Sequence, residues 1–188
     1  MRKGKIKGKE NMIKEIELPA NSSASLNGQI LTIMGEKGEV KKQLKQRNIS
    51  ISIDGNKIVL GANRTTKENK KILGSLTAHV KNMIKGSSEN YNYTLKICSG
   101  HFPMNVSISG NKIIVKNFLG EKVPRVMHLK EGADVKADGD LIHVTSTSKE
   151  LAGQVSADIE QLTRRPGFDT RIFQDGIYLI NKDGKELK

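Results

Sequence analysis

Residues 54–60 read DGNKIVL, and residues 138–144 read DGDLIHV. In each, an Asp-Gly pair opens a run that alternates in polarity. This is the pattern of a tight turn feeding the second arm of a β-hairpin, because glycine supplies the left-handed backbone that a short loop needs. The device is written twice, 84 positions apart, and the duplication extends outward from it. Pro19 in IELP answers Pro103 in GHFP; Asn27-Gly28, between SASL and QILTI, answers Gly110-Asn111, between NVSIS and KIIV; and Gly35-Glu36-Lys37 answers Gly120-Glu121-Lys122.

After each Asp-Gly hairpin comes the spacing of a capping box, TTKE from Thr65 and TSKE from Thr147. There a threonine hydroxyl accepts from the amide three residues on, and the glutamate reaches back to the threonine amide. Ile72, Leu73, Leu76, Val80, Met83 and Ile84 then recur at helical spacing, as do Leu151, Val155, Ile159 and Leu162. Each set forms one apolar stripe. Gly86 is expected to end the first helix, and Pro166-Gly167 to stop the second after Arg165. The sequence therefore predicts an α+β protein of two tandem duplicated domains, each an antiparallel sheet with one packed helix. The domains fall at 13–86 and 87–188, meeting near GSSENYN (86–92), with a basic flexible arm over 1–12.

Composition suits two small domains. Of the 188 residues 36% are apolar and 4% aromatic, with no Trp, so each core is aliphatic and modest. The 32 Lys and Arg exceed the 20 Asp and Glu, giving a net charge of +12. Such an excess concentrates polyanions around the chain. Cys98 is the sole cysteine, which excludes an intramolecular disulfide and fits a reducing compartment. The opening MRKGKIKGKENMIK has basic residues with no apolar run behind them, so neither a signal peptide nor a membrane anchor is expected, and the location predicted is cytoplasmic.

Two segments have no counterpart in the other copy. The arm carries Arg2, Lys3, Lys5 and Lys7 among glycines, with no apolar period to drive folding; such charges order against phosphates. The tail, RRPGFDTRIFQDGIYLINKDG from Arg164, mixes Arg164, Arg165 and Arg171 with Phe168, Phe173 and Tyr178. Arginine forks suit phosphates and aromatic rings stack on unpaired bases, the chemistry of RNA binding. Phe173 and Asp175 are expected to pack and turn against the second domain.

Charge is uneven. Residues 1–86 hold 18 basic and 7 acidic side chains, whereas within 131–160 seven acids face only Lys136 and Lys149. The acidic helix side then faces solvent or a basic protein, leaving Lys112, Lys116, Lys122, Arg125 and the tail arginines to meet an anion. Catalysis finds no support, for Cys98 and His101 sit on a strand and its exit loop, the remaining histidines are scattered, and Asp138-Gly-Asp140 lacks the further oxygens of a calcium loop. No cofactor, small-molecule substrate or membrane partner is expected.

The motifs HVKNMIKG, HFPMNV, NFLGEKVPR and RIFQDGIYLINK together resemble, in this order, the universal large-subunit ribosomal protein that carries number six in the bacterial series, in its archaeal and eukaryotic form. The last matches that group's R-x-F-x-D-G-I-Y-L-x-x-K from Arg171 to Lys182, and the resemblance covers roughly 13–183. It implies a duplicated α+β fold and a non-enzymatic structural protein. It further implies binding to large-subunit ribosomal RNA near the base of the acidic stalk and the sarcin-ricin loop, beside neighbouring stalk-base proteins. Arg164, Arg165, Arg171 and Lys182 inherit RNA contact by position. Phe168 stands where related proteins often carry a lysine. The alternative from another class is a free-standing protein-interaction module using the acidic face of the second domain; high salt would release the former from its particle and not the latter.

The arm's lysines are point charges on a glycine-spaced chain, so deleting residues 1–12 is expected to reduce the salt dependence of RNA binding while keeping the preference for cognate RNA. Binding to cognate and unrelated duplexes across a salt series checks this. Loss of the preference itself would make the arm a reader.

Overall fold

A computed structural model of the chain describes residues 12–44, 48–169 and 171–187. Arg2, Lys3, Lys5 and Lys7, and the expectation of a flexible arm over 1–11, lie outside the described residues, while Met12, expected in the arm, already pairs with Ala62 in the first strand. The chain divides into two compact units, Met1–Glu89 and Asn90–Lys188.

The first unit runs β1 (Met12–Glu17), β2 (Ser23–Asn27), β3 (Ile30–Gly35), β4 (Gly38–Gln43), β5 (Ile49–Asp54), β6 (Lys57–Ala62) and α1 (Lys67–Ser88). The second repeats it as β7 (Tyr91–Cys98), β8 (Asn105–Ser109), β9 (Lys112–Lys116), β10 (Arg125–His128), β11 (Ala133–Asp138), β12 (Leu141–Ser146) and α2 (Lys149–Leu162), then adds β13 (Gly176–Lys182) and β14 (Lys185–Glu186). Every pairing is antiparallel. Each unit carries one helix over two sheets rather than one. They are ordered β1-β6-β5 and β2-β3-β4 in the first unit, and β11-β12-β7-β13-β14 and β10-β9-β8 in the second. Among the described residues no helix is long and apolar enough to cross a membrane.

The period-2 strands bury one face each. Leu31, Ile33, Ile58 and Leu60 meet Leu73 and Val80 of α1, while Leu95, Ile113, Ile142 and Val144 meet Val155 and Ile159 of α2. Full burial of one such side chain contributes about 1.5–3 kcal/mol. Four of the tight hairpins share one device, with positive φ on a glycine at the first loop position: 63° at Gly28, 55° at Gly55, 56° at Gly110 and 56° at Gly139. Asn27, Asp54 and Asp138 close their strands, in register with Ile30, Lys57 and Leu141, instead of occupying the loop.

Three expectations about the helix ends need correction as well. The helix caps lie one residue later than the capping boxes, at Thr66 and Ser148, whose side chains accept from the amides of Asn69 and Leu151. The third helical position is then Asn69 or Leu151 rather than a glutamate, and Glu68 and Glu150 stand in the first turn, where their charge suits the helix dipole. Next, α1 runs through Gly86 to Ser88, because Gly86 and Ser87 are buried and the Ser87 carbonyl accepts from the Lys37 amide at 2.9 Å. Gly35 makes that approach possible, since a Cβ there would lie 2.5 Å from the Ser87 oxygen. Finally, α2 stops at Leu162, before Arg165.

The tail is what stops α2. The Thr163 hydroxyl donates to Glu160 O at 3.2 Å and accepts from the Ile177 amide at 2.9 Å, tying the helix end to β13. Strand β13 adds to the outer edge of β7, with Gly176 opposite Cys98 and Tyr178 opposite Lys96, and a bulge between Leu179 and Asn181. At its start Asp175 is buried, and one carboxylate oxygen accepts from the amides of Gly100 at 2.7 Å and His101 at 2.9 Å. The other oxygen meets His101 Nδ1 at 2.5 Å. Burial opposes the charge, but the amide and imidazole donors outweigh it and hold the carboxyl below the ordinary range.

A carboxyl depressed on folding contributes stability above its unfolded pKa of about 3.9, and that contribution is lost as pH falls through the folded value. Urea midpoints at pH 7 and in the acid range below about pH 4 are therefore expected to drop further for the wild type than for Asp175→Asn, which keeps an oxygen for the amides; parallel drops would remove Asp175 from the acid response. Asp175→Ala strands two amides at about 1–3 kcal/mol each. Each unit has its own core and capped helix, so 12–89 and 90–188 are expected to fold when expressed separately. Protected amides in neither would show one interlocked core.

Candidate nucleic-acid interface

The second unit departs from the first in two places, and both lie at the same site. In the first unit β3 passes to β4 across a tight turn, with Gly35 opposite Gly38. In the second, β9 and β10 are separated by residues 117–124, so Gly120-Glu121-Lys122 is not the structural counterpart of Gly35-Glu36-Lys37, although the letters match. The segment folds tightly: Asn117 (φ 59°), Leu119 (φ 48°) and Gly120 (φ 77°) all take left-handed conformations around the buried Phe118. Left-handed asparagine is tolerated at such turns, whereas left-handed leucine is uncommon and must be held by its surroundings. Asn117 Nδ2 donates to Pro103 O at 3.0 Å, and Phe118 anchors the loop in the core.

Arg125 follows and is engaged mostly within the chain. It forks onto Glu121 at 2.6 and 2.8 Å, lies 4.4 Å over the Phe118 ring, and donates from Nη1 to Leu162 O at 2.8 Å and Arg164 O at 3.3 Å. Its pairing with Val115 puts it on the core face of its sheet, and there it satisfies carbonyls at the end of α2. Glu121 is held below the usual carboxylate range by this hydrogen bond. Arg125 thus supports the tail from behind, with four of its five N–H donors spent within the chain.

Beyond the end of α2 the tail builds a row of rings. The Arg165 guanidinium lies 4.1 Å over Phe168. Phe168 meets Phe173 edge to face at 5.0 Å, and Phe173 stacks on His101 at 4.9 Å. His101 is in turn held by Asp175. Arg164 and Phe168 stay exposed, as does Tyr178 on β13. Arg164, Arg165, Phe168, Phe173, Asp175 and Tyr178, with Phe118, Leu119 and Glu160, surround a concavity of about 580 Å³. Phe168 makes a stacking platform under Arg165.

Arg171 sits outside the concavity, 87% exposed, and forks onto Asp169 through Nε at 3.1 Å and Nη2 at 2.8 Å. That hydrogen bond lowers the Asp169 pKa, and an exposed pair of this kind exchanges readily for a phosphate. Lys182 is exposed at the far end of β13. Lys112 and Lys116 lie on the outer face of β9, opposite Ser109 and Asn105 of β8, and Lys122 is exposed in the loop. The fold therefore separates the expected contacts into the tail set, the β9 face and the buried-side Arg125. On the acidic segment, Lys130 pairs with Asp158 at 2.7 Å and Lys136 with Asp134 at 3.3 Å, which partly neutralises that face. Among the described residues no three His, Cys, Asp or Glu come together to hold a metal ion.

Sequence reading missed the 117–124 loop and the His101–Asp175 pair. The loop carried a signal, a left-handed-tolerant Asn and a Gly flanking Phe-Leu, which the false match to Gly35 obscured. The pair carried none, because 74 residues separate its members.

The model of the ribosomal protein L6 family matches residues 18–90 and again 102–176, in agreement with the duplication. Archaeal relatives extend the match over most of the chain. Identity is 43% over 173 residues to the large ribosomal subunit protein uL6 of Methanococcus vannielii, covering 92% of this chain and 95% of that one. It is 39% over 171 residues to that of Haloquadratum walsbyi, covering 89% and 94%. The uL6 of Methanothrix thermoacetophila is 35% identical over 173 residues, covering 92% and 98%. A twice-matched family model, two duplicated α+β units and a tail that presents arginines beside aromatic faces converge on one conclusion: the chain belongs to the ribosomal protein L6 family, whose members are structural, non-enzymatic constituents of the ribosome.

Proposed function

We propose that the chain is a cytoplasmic constituent of the large ribosomal subunit whose second unit grips large-subunit ribosomal RNA near the stalk base and the sarcin-ricin loop, among the neighbouring stalk-base proteins. The observation that carries the reading is the ordered row from Arg165 through Phe168 and Phe173 to His101, seated on the buried Asp175. It presents guanidinium forks beside exposed ring faces on a rigid support. Directed donors of this kind discriminate, whereas bulk charge raises affinity for any polyanion.

In this reading Arg164, Arg165 and Arg171 take phosphates, Phe168 and Tyr178 offer faces to unstacked bases, and Lys112, Lys116, Lys122 and Lys182 hold the flanking backbone. Arg125 acts through the tail by holding the end of α2. The more basic first unit adds affinity with less discrimination.

Two matched triple variants test this by filter binding to large-subunit RNA fragments across a salt series. Arg164, Arg165 and Arg171 to Ala is expected to leave the melting temperature near that of the wild type and to weaken cognate RNA binding about tenfold to a hundredfold for each arginine that holds a phosphate. Lys41, Lys42 and Lys45 to Ala is expected to weaken cognate and non-cognate RNA alike. Equal weakening with unchanged discrimination in both variants would deny the tail a special role.

A further inference from the structure

The duplication assigns a function to an edge of the first unit. Strands β1 and β7 occupy the same place in their sheets, each beside the hairpin arm that follows the Asp-Gly turn. Their phase can be matched residue by residue. The Leu18 amide donates to Asn56 O at 2.9 Å, one residue after Gly55, and the Ile97 amide donates to Asp140 O at 2.8 Å, one residue after Gly139. Leu18 therefore corresponds to Ile97, and Ile16 to Leu95, both buried. Backbone groups alternate in direction along an antiparallel strand. Those of Asn92, Thr94 and Lys96 consequently face away from β12, and β13 covers them, the Asp183 amide finishing the ladder on Asn92 O at 2.8 Å. The equivalents in the first unit are Ile13, Glu15 and Glu17. Among the described residues no strand pairs with that side of β1.

An open groove of about 570 Å³ lies beside this edge, between β1 and the last two turns of α1, with Ile16, Pro19 and Ile84 supplying apolar surface and Lys81 and Ser88 on its rim. In the second unit the corresponding place is filled by Ile177 of β13, fully buried against the core. Charge defines the occupant further. Lys57 is shared by Glu15 at 3.3 Å and Glu17 at 3.5 Å, so on that face of β1 two carboxylates meet one ammonium, whereas Lys81 and Lys85 line the groove on the side of α1. Residues opposite these glutamates across a new ladder are favoured when basic.

We propose that the outer edge of β1 is a strand-addition site for an extended, basic peptide segment of a neighbouring protein, which pairs antiparallel as β13 does on β7 and places alternate aliphatic side chains over Ile16 and Ile84. Main-chain bonds supply affinity and the groove and glutamates supply selectivity. This site is separate from the tail and stands or falls independently of the RNA reading.

The test uses the full-length nitrogen-15-labelled chain and a synthetic heptapeptide, Lys-Ile-Lys-Leu-Lys-Ile-Lys, with amide shifts and exchange followed by NMR. Shifts are expected on β1 and at Ile84, with exchange of the Ile13, Glu15 and Glu17 amides slowed about tenfold at saturation. The same peptide N-methylated on the amides facing β1 is expected not to bind, and one with glutamate in place of lysine to bind at least about tenfold more weakly. Glu15→Pro removes an amide outside the β1–β6 ladder and is expected to keep the fold and abolish the effect. Undiminished binding of the methylated peptide, equal binding of the acidic one, or shifts confined to the Phe168 concavity would overturn the proposal. So would the same β1 protection arising from chain dimerisation or from an added RNA hairpin, and the N-methylated peptide decides the matter should the proline variant fail to fold.

Discussion

The site of the second unit depends on one buried carboxylate. Asp175 receives two backbone amides and an imidazole from the 100–101 loop, 74 or 75 residues away in sequence, and so fixes where the tail enters the sheet. From that point β13 can only run along the edge of β7, and the segment back to Thr163 has a defined span to bridge. A carboxylate buried with three donors is well satisfied, whereas the same group with one donor would carry an uncompensated desolvation cost. The Phe173 and His101 rings stack because Asp175 sets the imidazole, and Phe168 and Arg165 continue the row outward.

The two units show how duplicated folds diverge without disturbing their cores. Helix caps, glycine-led hairpins and aliphatic stripes recur because each is local and each is needed by any such sheet-and-helix layer. Divergence is confined to a connection and an edge. Lengthening the turn between β9 and β10 let Phe118 enter the core and Arg125 reach the end of α2, while shortening α2 relative to α1 released the chain that becomes the tail. The longer α1 instead keeps its last turn by packing Gly86 and Ser87 near Gly35, an approach that no side chain at Gly35 would permit.

Charge follows the same division. The excess of Lys and Arg in the first 86 residues acts at the range of the Debye length and without direction. In the second unit fewer cations are better placed. Arg125 is engaged internally with Glu121 and two carbonyls, so Arg164 and Arg165 are held at the mouth of a concavity beside aromatic faces.

The sequence by itself determined the α+β class, the duplication, the hairpins, the existence of both helices and the aromatic-basic character of the tail. The duplication is read from motifs repeated 84 positions apart and the tail from its composition, while the strands, hairpins and helices rest on spacings of two to four residues, the reach of strand alternation, helical periodicity and turn glycines. The N-caps at Thr66 and Ser148 lie one residue beyond the positions the sequence predicts, because Thr65 and Thr147 beside them offer equivalent hydroxyls, and the ends at Ser88 and Leu162 differ by two and three residues because Ser87 meeting Lys37 and Arg125 meeting Leu162 outweigh local preference there. Only the tertiary structure decided the split of each sheet in two, the inward turn of Arg125, the Asp175 clamp and the covered edge of β7 beside the open edge of β1. Those features join groups tens of residues apart, and their energy comes from burial and donor geometry that no local pattern encodes.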